Sequence, residues 1–131
     1  MSSKEYPQII KDVGFDFNWD SKKVWLINEP IVDMDINELL WHFAIPFWEA
    51  QDTDDYNLTP WEFIKDTQKH TDHNQKIKKA NLAFPIDIME NKGRWLILDG
   101  LHRLMKAYQQ GLHKVRVRKI PRSRISEIIK N

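Results

Sequence analysis

Two spacings of apolar residues alternate along the chain, and they predict alternating strands and helices. Short runs rich in β-branched and large apolar residues predict strands at 23–27, 84–89, 94–98 and 115–120. Apolar residues three and four apart predict helices that start near Asp35 and Thr59, helices over 72–80 and 99–110, and a short helix after Ser123. This alternation predicts a compact mixed β-sheet flanked by helices, of the α/β or α+β class.

Local start and stop signals support these elements. Thr59 and Glu62 have the spacing of a capping box, and Pro60 between them occupies the first helical position. Asp35 is a second candidate cap, with a glutamate three residues later. The polar segment 90–93 has the composition of a hairpin turn between two of the predicted strands.

The most informative segment is the strand–turn–helix pattern over residues 95–107. The strand is expected to end at Asp99, a sharp turn follows at Gly100, and His102 and Arg103 then lie in the first turn of the helix. The first backbone N–H groups of a helix have no intrahelical partner, and they carry the positive end of the helix dipole. Arg103 adds a planar fork of donors, and His102 adds a side chain that can change charge near neutral pH. The pattern therefore predicts an anion site, above all for phosphate.

Simpler interpretations of these residues stay open. The segment is also typical of a solvated helix start after a turn glycine, and Asp99 is also typical of a residue that caps the following helix. His70 and His73 have a spacing compatible with a metal ion. No third ligand is evident in the sequence and a solvated helix end is expected there, so no metal site is predicted.

Length and cysteine content narrow the classes of function. The 131 residues suit one domain over 1–131 with one core. The chain has no Cys, which excludes disulfides, a thiolate nucleophile and Cys-ligated metals. No apolar run has the length of a membrane span, and the N-terminal residues lack the apolar core of a secretory signal. A cytoplasmic protein without a membrane partner is therefore expected.

The net charge of +1 is unevenly distributed along the chain. Residues 101–131 contain nine Lys or Arg and one acid, Glu127, a formal charge of +8, which leaves −7 for residues 1–100. This asymmetry predicts either a basic surface for an anionic partner such as nucleic acid, or internal balance against the acidic part of the chain. The candidates for contacts with a nucleic-acid backbone are Arg116, Arg118, Arg122 and Arg124.

The residues around the turn resemble the ParB/sulfiredoxin-like superfamily. The similarity covers roughly residues 84–120, with Asp99-Gly100-Leu101-His102-Arg103 at its centre. The superfamily signature is a strand that ends in Gly-x-x-Arg or Gly-x-His-Arg, opens a helix and holds nucleotide phosphates. The resemblance implies a compact α/β domain in which Gly100 lets the backbone approach a phosphate that His102 and Arg103 bind.

The resemblance also implies a cofactor and further site residues. Asp99 matches the free-serine-kinase-like branch, whose motif is Asp-Gly-His-His-Arg, and a carboxylate there could hold Mg²⁺ or orient a hydroxyl nucleophile. Glu29 is the candidate base near an acceptor, because kinase-like relatives place a glutamate in the N-terminal part. Sulfiredoxin has its reactive Cys where this chain has Leu101, so sulfiredoxin chemistry is excluded.

The sequence thus leads to one main hypothesis and two alternatives. The main hypothesis is a domain that binds ATP, ADP, CTP or another phosphorylated small molecule at the turn, with or without Mg²⁺-dependent, kinase-like phosphoryl transfer. It assigns catalysis to Asp99, His102 and Glu29, and ligand binding to Gly100, His102 and Arg103. The alternatives are a non-catalytic nucleic-acid-associated module and a protein-interaction module, both using the basic C-terminal segment.

Overall fold

A computed structural model describes residues 6–130 and shows, within them, a four-stranded β-sheet with helices packed on it. The strands are β1 (Ile31–Asp35), β2 (Ile86–Asn91), β3 (Arg94–Asp99) and β4 (Lys114–Lys119). The α-helices are α1 (Gln8–Val13), α2 (Ser21–Trp25), α3 (Pro60–Lys65), α4 (Thr71–Lys79), α5 (Leu101–Gln109) and α6 (Ile125–Ile128). Short 3₁₀ helices occur at Ile36–Glu38, Leu40–Ala44, Thr67–Lys69 and Arg122–Arg124.

The strands lie in the order β1-β4-β2-β3 across the sheet. β2 and β4 are parallel, whereas β1 pairs with β4 and β2 pairs with β3 in antiparallel fashion. The expected class, a mixed sheet flanked by helices, is therefore confirmed. β2 and β3 form the expected hairpin, whose turn residues Lys92 and Gly93 have φ of 52° and 80°, as a two-residue hairpin turn requires. Because β3 ends where β2 begins, with Asp99 opposite Asp87, the first turn of α5 lies at that end of the sheet.

Two groups of buried side chains lie on opposite faces of the sheet. Consecutive residues of a strand point to opposite faces, and in β2 Ile88 belongs to one group and Met89 to the other. The larger group packs α5 onto the sheet, for example through Leu104. The smaller group packs α2 and α6 onto the other face through Val24 and Ile128. Both faces of the sheet are therefore covered by apolar contacts.

The first strand expected from the sequence is wrong, because that segment forms α2. Asp20 starts this helix by accepting a hydrogen bond at 2.9 Å from the backbone N–H two residues later. Val24 and Ile27 are buried at helical spacing, while Trp25 and Leu26 between them are 55% and 85% exposed. An uninterrupted apolar run predicts a strand only if its residues are all buried, and here two of them face solvent.

The local capping and turn signals are confirmed, with two differences. Thr59 accepts the backbone N–H of Glu62 at 3.1 Å, and the Glu62 carboxylate accepts the backbone N–H of Thr59 at 2.9 Å. Asp35 accepts the backbone N–H of Asn37 at 2.9 Å, but it starts 3₁₀ turns rather than an α-helix. The short helix expected after Ser123 is α6, which ends at Ile128, so Ile129 lies in extended chain and is exposed.

A buried ion pair connects β4, β2 and α2. Arg118 Nε donates to Asp87 Oδ1 at 2.7 Å. The same guanidinium donates to the carbonyl of Val24 at 3.0 Å and to the carbonyl of Ile27, at the end of α2, where a cation is favoured. Burial raises the pKa of Asp87, and the hydrogen bond and charge of Arg118 oppose that rise. Arg118 is thus part of the internal structure.

We expect Arg118→Met to lower the free energy of unfolding by about 3–5 kcal/mol, because the substitution leaves Asp87 buried without its counter-charge. Arg116→Met is the matched control, since Arg116 is exposed on the same strand, and it should change stability by about 0.5 kcal/mol or less. Urea-induced unfolding followed by tryptophan fluorescence measures both. Equal losses of stability in the two variants would contradict the structural role of the pair.

Candidate functional site

Gly100 makes the sharp turn between β3 and α5. Its φ of 120° and ψ of 19° lie in a region that L side chains rarely adopt. A Cβ at this position would lie 3.2 Å from the Cα, Cγ1 and Cγ2 atoms of Ile86. The glycine therefore lets the first turn of α5 approach the beginning of β2 closely.

Asp99 connects the end of β3 to α2 and α5. Its Oδ2 accepts the indole N–H of Trp25 at 2.7 Å and Nη2 of Arg103 at 3.1 Å. It is not a helix cap, because the N-cap of α5 is Gly100 and no side chain caps that helix. The interpretation of Asp99 as a capping residue is therefore wrong. Its carboxylate instead orients one arginine and one tryptophan at the end of the sheet.

Arg103 is held by two protein acceptors and reaches the surrounding cavities. Nη1 donates to the carbonyl of Pro85, and Nη2 donates to Asp99. The guanidinium is half-buried and lines cavities on more than one side of the turn. Its position is thus fixed before any ligand arrives, which lowers the entropic cost of binding.

His102 pairs with His73 of α4. Nε2 of His73 donates to the carbonyl of Glu49 at 2.8 Å, since a carbonyl can only accept. The other nitrogen of His73, Nδ1, is therefore the acceptor for Nε2–H of His102 at 3.0 Å. Both rings stack on the indole of Trp48, with centroids 4.7 and 4.8 Å from it. The two histidine rings and the indole thus form one stacked aromatic group that connects α4 and α5.

The histidine pair is neutral at neutral pH. Burial lowers the pKa of His102 to about 3, with smaller contributions from His73 and Lys76. Burial likewise lowers the pKa of His73, although its hydrogen bond to Glu49 opposes the shift. The expectation that His102 changes charge near neutral pH is therefore wrong, and the reason is desolvation of the ring.

The expected solvated helix end at His70 and His73 is also wrong. Both residues are buried, and Nδ1 of His70 accepts the backbone N–H of Gln51 at 3.1 Å. The rings of His73 and His102 are 5.3 Å apart between centroids, with 3.0 Å between the facing nitrogens. The two rings therefore face each other through their nitrogens, as a hydrogen bond between them requires. Within residues 6–130 no group of three or more His, Asp or Glu side chains is arranged to hold a metal ion.

A cavity of about 500 Å³ lies beside the first turn of α5. Gly100, His102 and Arg103 line one side, together with Asp99. The other walls are mostly aromatic and come from the N-terminal part of the described chain and from segment 47–56: Tyr6, Phe15, Phe17, Trp19, Phe47, Trp48 and Tyr56. The volume is within the range of small-molecule sites, about 300–1,000 Å³. Polar donors thus occupy one end of the cavity and aromatic rings the other.

The N-terminal segment closes this cavity against β3. The indole N–H of Trp19 donates to the carbonyl of Leu98 at 2.9 Å, and its ring packs edge-on against Phe15 at 5.2 Å. Tyr6 and Tyr56 stack on one another with centroids 4.9 Å apart. No sequence signal identified these residues as part of a site, because their proximity to the turn depends on the tertiary fold.

His42 lines the same cavity as a structural residue. Its Nδ1 donates to the carbonyl of Leu39 at 2.7 Å, and its Nε2 accepts the backbone N–H of Ile97 at 3.1 Å. Burial lowers the pKa of His42 to about 4, so it is neutral as well. His42 therefore fixes the 3₁₀ segment against β3.

Glu29 lies in a second cavity, of about 600 Å³, on the side of α2. Arg103 lines both cavities, and Trp25 lines the second one while it donates to Asp99. Glu29 is 4.0 Å from Nε of Arg124. The structure therefore brings Asp99, His102 and Arg103 to one cavity and places Glu29 in the neighbouring one.

The basic C-terminal segment is largely engaged within the fold. Arg118 binds Asp87 and two carbonyls, and Arg122 donates to the carbonyl of Glu90 at 2.9 Å. Arg124 donates to both carboxylate oxygens of Glu127 at 2.9 and 3.0 Å. Contacts within the fold thus engage these three arginines, and two of them, Arg118 and Arg124, are paired with acids.

Comparisons with known proteins add one observation about the fold. No family model and no curated protein matches the chain. Among solved structures, sulfiredoxin from Arabidopsis thaliana is similar at 20% identity, with 74% of this chain and 93% of that chain covered and a TM-score of 0.34. Within residues 6–130, no helix combines the length and the apolar character needed to cross a membrane.

We expect Gly100→Ala to destabilise the protein more than Gly111→Ala. Both glycines have positive φ, which costs a residue with a side chain about 1–2 kcal/mol, but a Cβ at Gly111 meets nothing within 4 Å. The extra loss at Gly100 measures the contact with Ile86. Thermal and urea unfolding of both variants test this expectation, and equal losses would show that the close approach is unimportant.

We expect the stability of the protein to fall as the pH is lowered from 6.5 toward 4. Below the unfolded pKa of 6.5, the unfolded chain binds protons that buried His102 does not, so each such histidine costs up to about 1.4 kcal/mol per pH unit. His102→Gln should reduce this slope, whereas His113→Gln, at an exposed position, should not. Urea midpoints measured across this pH range give the slopes, and identical slopes for all three proteins would contradict the burial of a neutral His102.

Proposed function

We propose that the aromatic cavity binds a phosphorylated ligand with a planar ring, such as a nucleotide, with its phosphate at the first turn of α5. The observation that carries this proposal is the uncapped N-terminus of a nine-residue helix that opens into an aromatic cavity beside a fixed guanidinium. Helix N-termini favour anions because their N–H groups and dipole point at the ligand.

The phosphate end of the proposed site uses backbone donors first. Leu104 N–H is bonded to the carbonyl of Gly100, so the N–H groups of residues 101–103 are those that a helix leaves without an intrahelical partner. Gly100 has no Cβ to obstruct the approach of a phosphate oxygen. Arg103 supplies the positive charge, and neutral His102 can supply a hydrogen bond but no charge.

The ring end of the proposed site uses the aromatic walls. Stacking of a base on an aromatic side chain is worth about 1–3 kcal/mol and tolerates different bases. Phe47 and Trp48 line the cavity, with Trp48 stacked on His102, and so do Phe17 and Trp19 of the N-terminal segment. This arrangement supports binding of a nucleotide without selecting among ATP, ADP and CTP.

A divalent cation fits the proposed site through Asp99. Mg²⁺ commonly takes one or two carboxylates together with substrate phosphates, and both contacts of Asp99 fall on Oδ2. Its Oδ1 is therefore the oxygen that could contact Mg²⁺. The proposal is confined to binding, because Glu29, the candidate base, lines the neighbouring cavity.

Isothermal titration with ATP, ADP and CTP, each with and without Mg²⁺, tests the proposal. We expect at least one nucleotide to bind, more tightly with Mg²⁺. Arg103→Gln should weaken binding at least about tenfold, since hydrogen bonds to charged groups contribute about 1.5–3 kcal/mol. Arg116→Gln, at an exposed position on β4, is the matched control and should bind as wild type.

Two results would overturn the proposal. One is the absence of heat with all three nucleotides, and the other is equal affinity of the Arg103→Gln variant and the wild type. Thermal unfolding of Arg103→Gln distinguishes a lost ligand contact from a lost fold, because Arg103 also bonds Pro85 and Asp99.

A further inference from the structure

We propose that the second cavity, beside α2, binds a small organic amine with an apolar body. This cavity is separate from the proposed nucleotide site, although Arg103 lines both. Its volume of about 600 Å³ is within the range of small-molecule sites, about 300–1,000 Å³. The residues that define it are Trp25, Glu29, Ile31, Phe84 and Asp87.

Three large apolar side chains around this cavity are unusually exposed. Trp25 is 55% exposed, Ile31 52% and Phe84 62%. They come from α2, β1 and the segment before β2, so the fold brings them together from distant parts of the sequence. Grouped exposed apolar side chains of this kind mark ligand-binding surfaces more often than single ones do.

One of these walls is held rigidly. The indole N–H of Trp25 donates to Asp99 at 2.7 Å, so the ring is oriented although more than half of its surface is accessible. A pre-oriented aromatic ring loses little conformational entropy when a ligand packs on it. Trp25 is therefore suited to contact a ligand rather than to fill the core.

The charges that line the cavity leave one carboxylate under-compensated. Two arginines line the cavity, and each is bonded to a carboxylate: Arg118 to Asp87, and Arg103 to Asp99.

Glu29 has only the weaker contact with Arg124, at 4.0 Å, and Arg124 itself binds both oxygens of Glu127. The Glu29 side chain is still 20% exposed. Among the carboxylates of this cavity, Glu29 therefore has the weaker counter-ion contact and is the one that can accept a ligand's N–H donors.

A carboxylate together with exposed aromatic rings is the chemistry that recognises an ammonium group. The carboxylate accepts charge-assisted hydrogen bonds from N–H donors, and the faces of Trp and Phe rings attract cations. A carboxylate or phosphate ligand would meet Glu29 with like charge. A neutral ligand of the same shape would keep the apolar contacts and lose the charged ones.

Titration of the wild-type chain with three ligands of one shape tests this proposal. The probes are phenethylamine, phenethyl alcohol and hydrocinnamate, which carry a cationic, a neutral and an anionic head on the same aromatic body. Proton–nitrogen correlation spectra follow the indole N–H of Trp25, assigned by its loss in Trp25→Phe. We expect the amine to shift this signal with an affinity at least about tenfold above that of the alcohol, and the anion to bind weakest.

Two variants separate the contribution of the Glu29 charge to ligand binding from that of the Phe84 ring. Glu29→Gln should reduce the affinity for the amine to that of the alcohol, and Phe84→Ala should weaken binding of both the amine and the alcohol. Glu38→Gln is the matched control, since Glu38 is exposed at the end of a 3₁₀ turn, and it should bind the amine as wild type.

Equal affinity for the amine and the alcohol, or amine binding unchanged in Glu29→Gln, would overturn the proposal. The ligand series decides the matter on the wild-type chain even if a variant folds poorly. The outcome is distinguishable from that of the nucleotide site, because the titrations contain no nucleotide or Mg²⁺ and because Glu29 and Phe84 line the second cavity and not the first.

Discussion

A single carboxylate oxygen of Asp99 organises the region around the candidate site. It accepts a hydrogen bond from Trp25, which lies 74 residues earlier in α2, and one from Arg103 in α5. Arg103 extends the connection to the carbonyl of Pro85, just before β2. Charge-assisted bonds are short and directional, so they fix the first turn of α5 relative to the sheet and to α2. The two cavities have Arg103 as their common wall.

Ion pairs within the fold offset part of the uneven charge along the sequence. Three arginines of the basic C-terminal segment contact acids of the first hundred residues: Arg103 with Asp99, Arg118 with Asp87, and Arg124 with Glu29. Buried charges persist in proteins when they are paired, and the pairs of Arg118 and Arg124 also connect segments that are distant in sequence. The positive segment and the negative segment thus complement each other inside the fold.

The sequence predicts well those features that depend on neighbouring residues. The turn at Gly100, the capping box at Thr59 and the hairpin before β3 each follow from a few adjacent side chains, and all three form. Segment 23–27 could not be assigned correctly, because the exposure of Trp25 depends on Asp99, which comes much later in the chain. Local patterns carry no information about such partners.

The site residues also divide into features that neighbouring residues determine and features that distant residues determine. The sequence placed Asp99, Gly100 and Arg103 at one turn, and the structure keeps them there. The charge state of His102 could not be predicted, since it depends on burial and on His73, which lies 29 residues earlier. A histidine near a helix N-terminus is expected to titrate only when water can reach it.

The neutral state of His102 changes the kind of anion site that this turn can form. Arg103 is already partly balanced by Asp99, so a phosphate at the proposed site would be held by the hydrogen bonds of this one guanidinium and by the helix N-terminus, which is worth about 0.3–1 kcal/mol. Most of the binding energy for a nucleotide must then come from its ring against the aromatic walls. Asp99 repels a phosphate unless a cation lies between them, so the residue that orients Arg103 also makes tight binding depend on a divalent ion.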